Sequence, residues 1–210
     1  MLAQSRALAS LQVQQRIIAQ VLLATLFAVL IWQGANIRVE IGLVPFTAQL
    51  LFVVLAGLVL GPKLGAAAVA EYVAAGLAGL PVFARGGGPA YLLQPTMGYL
   101  VGFIAAAWVA GFVFQHLASA NKLRAFLGAL VAGLAGAVVI HLIGMPWVAA
   151  WAAVNPASKV LGEDGGTILA YAWAYGTWPF LVWDSLKALV AAAAAGGGRA
   201  IAAQFLSQGS

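Results

Sequence analysis

The segment Pro179-Phe-Leu-Val-Trp-Asp-Ser-Leu-Lys-Ala-Leu-Val-Ala191 reads as a membrane-buried helix that carries two ionisable residues, Asp184 and Lys187. Positions i and i+3 share a helix face. Acid and base therefore point the same way, roughly 8–12 Å below the start of the span at about 1.5 Å per residue. Ionisable groups inside a lipid-spanning helix are costly and mark a site by default. A purely structural pair would contribute only about 0.3 kcal/mol on an isolated helix, and two apolar residues would serve packing better. The pair thus reads as a grip for a small ligand bearing a carboxylate and hydrogen-bond donors.

Composition agrees with a membrane setting. Of 210 residues, 64% are hydrophobic and only 7% charged, against about a quarter charged in soluble domains. Mean hydropathy is +1.01. The chain reads as one integral membrane domain, 1–210. There is no cysteine, which excludes disulfide and thiol chemistry. The first sixteen residues are polar and amphipathic, without the apolar core and small-residue cleavage site of a signal peptide.

Working outward, six apolar segments mark an all-α bundle of six transmembrane helices: near 17–32, 49–60, 64–80, 96–117, 125–144 and 179–195. Gly61-Pro62-Lys63 reads as a tight turn between spans two and three. Arg6, Arg16, Lys63, Lys122, Arg124 and Arg199 fall on one side of this arrangement, and Arg38, Arg85 and Lys159 on the other. The positive-inside rule then puts both termini in the cytoplasm, with 1–16 as a cytoplasmic segment.

The outer connections, Asn36–Thr47, Pro81–Pro95 and Gly144–Thr177, are the longer ones. Trp147, Trp151, Tyr171, Trp173, Tyr175 and Trp178 crowd the last of them and the residue after it, as an interfacial belt or as rings closing over an outward pocket. Ala66-Ala67-Ala68, Gly128, Gly133 and Gly136 suit close helix approach. Ala24 and Ala28 form a small-residue stripe in span one, with Ala19 on roughly the same side, for packing within the bundle or for docking to another membrane protein. His116 and His141 stand far apart in sequence and offer no metal-ligand spacing. His116 reads as interfacial and His141 as a hydrogen-bonded packing residue. Glu71 sits among alanines in span three, open to structural, partner-facing and site readings.

The middle of the chain carries a longer pattern. Val44-Pro-Phe-Thr-Ala-Gln49 leads into Leu55-Ala-Gly-Leu-Val-Leu-Gly-Pro62. Gly79-Leu-Pro-Val-Phe83 follows, with a glycine-rich loop through Arg85 to Gly88, and then Gln94-Pro-Thr-Met-Gly-Tyr-Leu-Val-Gly-Phe103. Pro179, Phe180, Asp184 and Lys187 complete a late Pro-Phe-x-x-x-Asp-x-x-Lys. In this order, over about residues 40–190, the chain resembles the BioY family, the substrate-binding (S) components of energy-coupling-factor (ECF) biotin transporters. Met97 stands where that family usually has glycine.

The resemblance implies a six-helix protein of the cell (cytoplasmic) membrane that takes biotin from the outer side and delivers it inward. Its implied partners are an ECF transmembrane coupling subunit and two ATPase subunits within the lipid bilayer, and the Ala24/Ala28 stripe resembles the surface used for that contact. Asp184 is then expected to accept from the urea N–H groups, and Thr47 and Gln49 to serve the urea. Phe83, Tyr91, Tyr99, Trp178 and Trp183 would wall the bicycle. Spacing leaves Lys187 and Arg85 both open as partners of the carboxylate. Thr47 has a second reading as a helix cap, and both Thr47 and Gln49 face one pocket only if the chain before Gln49 is extended. No phosphate-binding loop is present, and no catalytic residue, cofactor, metal or nucleic-acid partner is expected. The chain is not read as an enzyme. An S component for a different vitamin, or a non-catalytic membrane assembly factor, is the competing reading.

Overall fold

A computed structural model describes residues 2–40, 43–117, 119–155 and 167–207, with side chains described from residue 11 onward. The fold is all-α. Helix α1 spans Leu2–Asn36, α2 Gln49–Leu60, α3 Pro62–Leu77, α4 Met97–Leu117, α5 Lys122–Val154, α6 Ile168–Gly176 and α7 Leu181–Ser207. Between α1 and α2, two extended pairs of residues, β1 (Arg38–Val39) and β2 (Phe46–Thr47), run antiparallel, with Arg38 opposite Thr47. Short 3-10 turns occupy Pro89–Leu93 and Trp178–Phe180.

Helix ends follow local chemistry. Gly61 takes φ +82°, a region that costs glycine nothing. Pro62 then opens α3 at a position where its missing N–H is no loss. Asn121 caps α5, its side chain accepting from Arg124 N at 3.1 Å. Met97 adopts an ordinary helical start to α4 and is buried, so the missing glycine does not disturb the backbone there.

The bundle is built inside out relative to a soluble core. Ala106, Ala107, Ala110, Ala129, Ala132, Ala188 and Ala191 are buried, while Leu22, Val138, Leu142 and Val182 point outward. Small interior residues let helices approach closely, and large apolar ones face lipid. A Cβ on Gly136 would come within 3.2 Å of the Ala106 carbonyl oxygen, and one on Gly133 within 3.1 Å of Ala188 Cβ. Four helical stretches, 11–36, 97–117, 122–154 and 168–206, are long and apolar enough to cross a membrane. Helix α2 is apolar but shorter, and α3 carries Lys63 and Glu71 within 16 residues.

Two expectations change, and one of two open readings is seen. The outer connection read as 144–177 is partly helical: α5 continues through Pro146 to Val154, and α6 follows. Proline is tolerated inside membrane helices, where neighbours satisfy the freed carbonyl. Residues 156–166 of that connection, Lys159 among them, lie outside the described residues, as does the Arg6 side chain. Helix α1 is also far longer than 17–32, since its polar first turns continue the same helix. Finally, Ala24 and Ala28 are buried, with Ala24 in one cluster with Phe27, Ala56 and Ala68. Of the two readings of the stripe, packing of α1 on α2 and α3 is thus present. On α3, Glu71 is exposed and accepts from Thr25 Oγ1 of α1 at 2.7 Å, while His116 is exposed near the end of α4.

Candidate functional site

A cavity lies between α2, α4, α5 and α7, under the two outer loops. Val44, Pro45, Thr47, Gln49, Ala84, Tyr91, Thr96, Tyr99, Phe103, His141, Phe180, Asp184 and Lys187 are among its lining residues. Its volume is about 60 Å³.

The polar wall is centred on Asp184, which is 6% exposed. Lys187 Nζ donates to Oδ1 at 2.8 Å, and His141 Nε2 lies 2.9 Å from Oδ2. A carboxylate oxygen only accepts, so Nε2 carries the proton and donates. Each carboxylate oxygen thus holds one donor, one from its own helix and one from α5. The two charges offset each other, which a buried pair requires.

A second polar part of the lining belongs to a hydrogen-bonded chain. Thr47 Oγ1 donates to Gln49 Oε1 at 3.0 Å, Gln49 Nε2 donates to Tyr72 Oη at 2.7 Å, and Tyr72 donates to the Val82 carbonyl at 3.0 Å. This ties α2, α3 and the loop after α3 together. It also depends on backbone shape. Phe46–Thr47 is extended, so Thr47 and Gln49 both face the cavity, and Ala48, not Thr47, is the N-cap residue of α2. Apolar walls complete the space. Phe180 stacks on Phe46 with centroids 4.2 Å apart. Tyr99 is fixed by donating to the Gly176 carbonyl at 2.5 Å. Trp147 and Trp151, four apart on α5, donate to the Gln94 and Leu93 carbonyls, each at 3.0 Å, which anchors the turn carrying Tyr91. Burial pushes the Tyr91 phenol above its ordinary pKa, against the hydrogen bond from Thr96 and the nearby Arg85, so the hydroxyl is neutral.

Six of the expected residues, Asp184, Lys187, Thr47, Gln49, Tyr91 and Tyr99, line this one cavity. Two do not. Phe83 lies behind the wall, packed between Tyr72 and Tyr91 at 5.5 and 4.5 Å. Arg85 pairs with Glu40 at 2.6 Å and donates to the Leu43 carbonyl at 2.9 Å, strapping one outer loop to the other above the cavity. Trp178 and Trp183 are exposed and lie outside its lining. The residue sequence reasoning missed is His141, because a partner 43 positions before Asp184 leaves no spacing signal.

The comparisons with known proteins agree with this architecture. The BioY family pattern matches residues 5–204. A probable biotin transporter BioY of Pyrococcus horikoshii is 39% identical over 82% of this chain and 91% of its own length. One from Lysinibacillus sphaericus is 42% identical over 64% of this chain and 66% of its own length. A biotin transporter BioY of Thermotoga maritima is 45% identical over 60% of this chain and 72% of its own length. The fold is similar to a 2.1 Å crystal structure of the S component for biotin from an ECF-type ABC transporter, with TM-score 0.66 and 22% identity, covering 85% of this chain and 89% of that one. The match over nearly the full length places this chain in the BioY family.

Proposed function

We propose that the protein is the biotin-binding S component of an ECF vitamin uptake transporter, and that the cavity at Asp184 is its biotin site. The observation that carries this reading is that the paired Asp184–Lys187 and the Thr47–Gln49 pair line one cavity together with apolar residues, in a chain whose relatives are named biotin transporters. Asp184 accepts from the urea N–H groups, and Thr47 and Gln49 serve the urea from the other side. Asp184 and Lys187 are in direct contact, so they cannot grip opposite ends of an extended ligand. Both belong to the headgroup end, and the valerate carboxylate points to the mouth, where Arg85 bridges the outer loops.

The closed cavity is smaller than the roughly 300 Å³ at the low end for ligand sites. Biotin therefore enters by parting the loops at Val44–Pro45 and Ala84–Tyr91 and letting the Arg85–Glu40 strap give way. Six spans in the cell membrane with cytoplasmic termini put this mouth on the outer side. A transmembrane coupling subunit with two ATPase subunits supplies the energy that this chain has no motif to obtain. The test is equilibrium binding of a vitamin panel to the purified protein. Biotin is expected to bind tightly and alone. Tight binding of thiamine or riboflavin without biotin would support an S component for another vitamin, and no binding of any would support an assembly factor.

A further inference from the structure

His141 reaches the site from α5, which packs against the helix that carries Asp184 and Lys187. Its side chain is 11% exposed, and Nε2 donates to Asp184 Oδ2 at 2.9 Å. The other ring nitrogen, Nδ1, is buried with no hydrogen-bond partner. The ring therefore has one task on one side, and that task is the carboxylate. Its orientation is fixed from two directions. Tyr99 packs edge-on with centroids 6.1 Å apart, and Phe180 lies 6.3 Å away. Tyr99 is itself held by Gly176. The charged and titratable groups facing the ring are thus Asp184 and Lys187 from α7 and Tyr99 from α4.

Lys187 alone would leave the carboxylate free to turn along its own helix. A second donor from a different helix, on the other oxygen, fixes the carboxyl plane. A carboxylate offers about four lone-pair sites. With one taken on each oxygen, two remain for ligand N–H groups. The donors also set what those sites prefer. A carboxylate already paired with one cation gains little from a second, which Lys187 repels. It still accepts readily from neutral N–H groups, and hydrogen bonds to a charged acceptor are among the stronger ones.

We infer that His141 is a positioning residue that makes Asp184 selective for a neutral headgroup with N–H donors, a cyclic urea, over a cationic amidinium or guanidinium of the same shape. This rests on the biotin reading of the site. The test compares biotin with its 2-imino analogue, a guanidinium cation at neutral pH, by calorimetric titration of the detergent-purified wild type and of H141L, H141Q and H141N. His141→Leu is expected to weaken biotin by about tenfold or more and the imino analogue distinctly less, so the preference for urea falls. His141→Gln, whose amide nitrogen can occupy the place of Nε2, is expected to restore the preference, and the shorter His141→Asn is not. A merely structural ring would weaken both ligands by one factor in H141L, and that result overturns the inference. If H141L does not fold, the Gln–Asn comparison decides, and equal preference in the two overturns it. Wild type that binds no biotin overturns the functional reading, whereas wild type that binds biotin with an unchanged ratio in H141L overturns this inference alone.

Discussion

Asp184→Asn is expected to lower biotin affinity by about a hundredfold while leaving a folded protein of reduced stability. Two separate losses produce this. Asn presents a weaker, uncharged acceptor to the urea, and hydrogen bonds to charged groups are worth roughly 1.5–3 kcal/mol. It also leaves the Lys187 ammonium, 19% exposed, without its counter-charge, and breaking a buried pair typically costs about 3–5 kcal/mol. The two losses can be separated. In the double variant Asp184→Asn, Lys187→Met the orphaned cation is gone, so thermal stability recovers, but biotin affinity does not. Titration calorimetry and thermal unfolding of wild type, the single variant and the double variant check this. Biotin affinity within threefold of wild type in the single variant would remove Asp184 from the site.

Gly57→Val is expected to be the most damaging single change outside the cavity. A Cβ at Gly57 would overlap the Ala107 carbonyl oxygen and sit 3.1 Å from Gly111 N. A Cβ at Gly111 would in turn lie 2.8 Å from Gly57 O, so α2 and α4 touch backbone to backbone at this pair. Neither obstacle is a flexible side chain that can turn away, so the helices must separate. Overpacking costs about 1–3 kcal/mol where side chains give way and more where only backbone can move. The unfolding midpoint should fall by roughly 10 °C on the scaling for chains of this size. Biotin binding should weaken with it, since Gln49 on α2 and Tyr99 on α4 both line the cavity. Ala67→Val, on the exposed face of α3, provides the control and should shift the midpoint little. A Gly57→Val midpoint equal to that of the control would contradict the close α2–α4 contact.

How far the sequence could be read depended on whether a feature is local. The apolar run Gln49–Leu60 ended at Gly61-Pro62, and α2 has those bounds, because a glycine at positive φ and a helix-opening proline act on their own neighbours. The end placed at Gly144 shows the limit of this. The apolar run thins there, yet α5 runs on through Pro146 to Val154, because packing in a bundle overrides a helix-breaking residue. Asp184 and Lys187 announced themselves through the cost of charge in an apolar helix. His141 did not, since a histidine in a span has several ordinary reasons to exist, and only the fold brings it to Oδ2. Arg85 suggested a ligand cation, but its nearest carboxylate is Glu40, a residue 45 positions away that sequence reasoning had not weighed. Ala24 and Ala28 illustrate a different limit: a small-residue stripe looks the same whether it faces its own α3 or another protein.

The most direct test of the proposed site is a structure of the protein with biotin bound. The account predicts a cavity opened between the Val44–Pro45 and Ala84–Tyr91 loops, the urea N–H groups within hydrogen-bond distance of Asp184, Thr47 and Gln49 close to the same ring, and the carboxylate toward the mouth near Arg85. Biotin found against a lipid-facing groove, or in the cavity with its carboxylate on Lys187 and its urea away from Asp184, would contradict it.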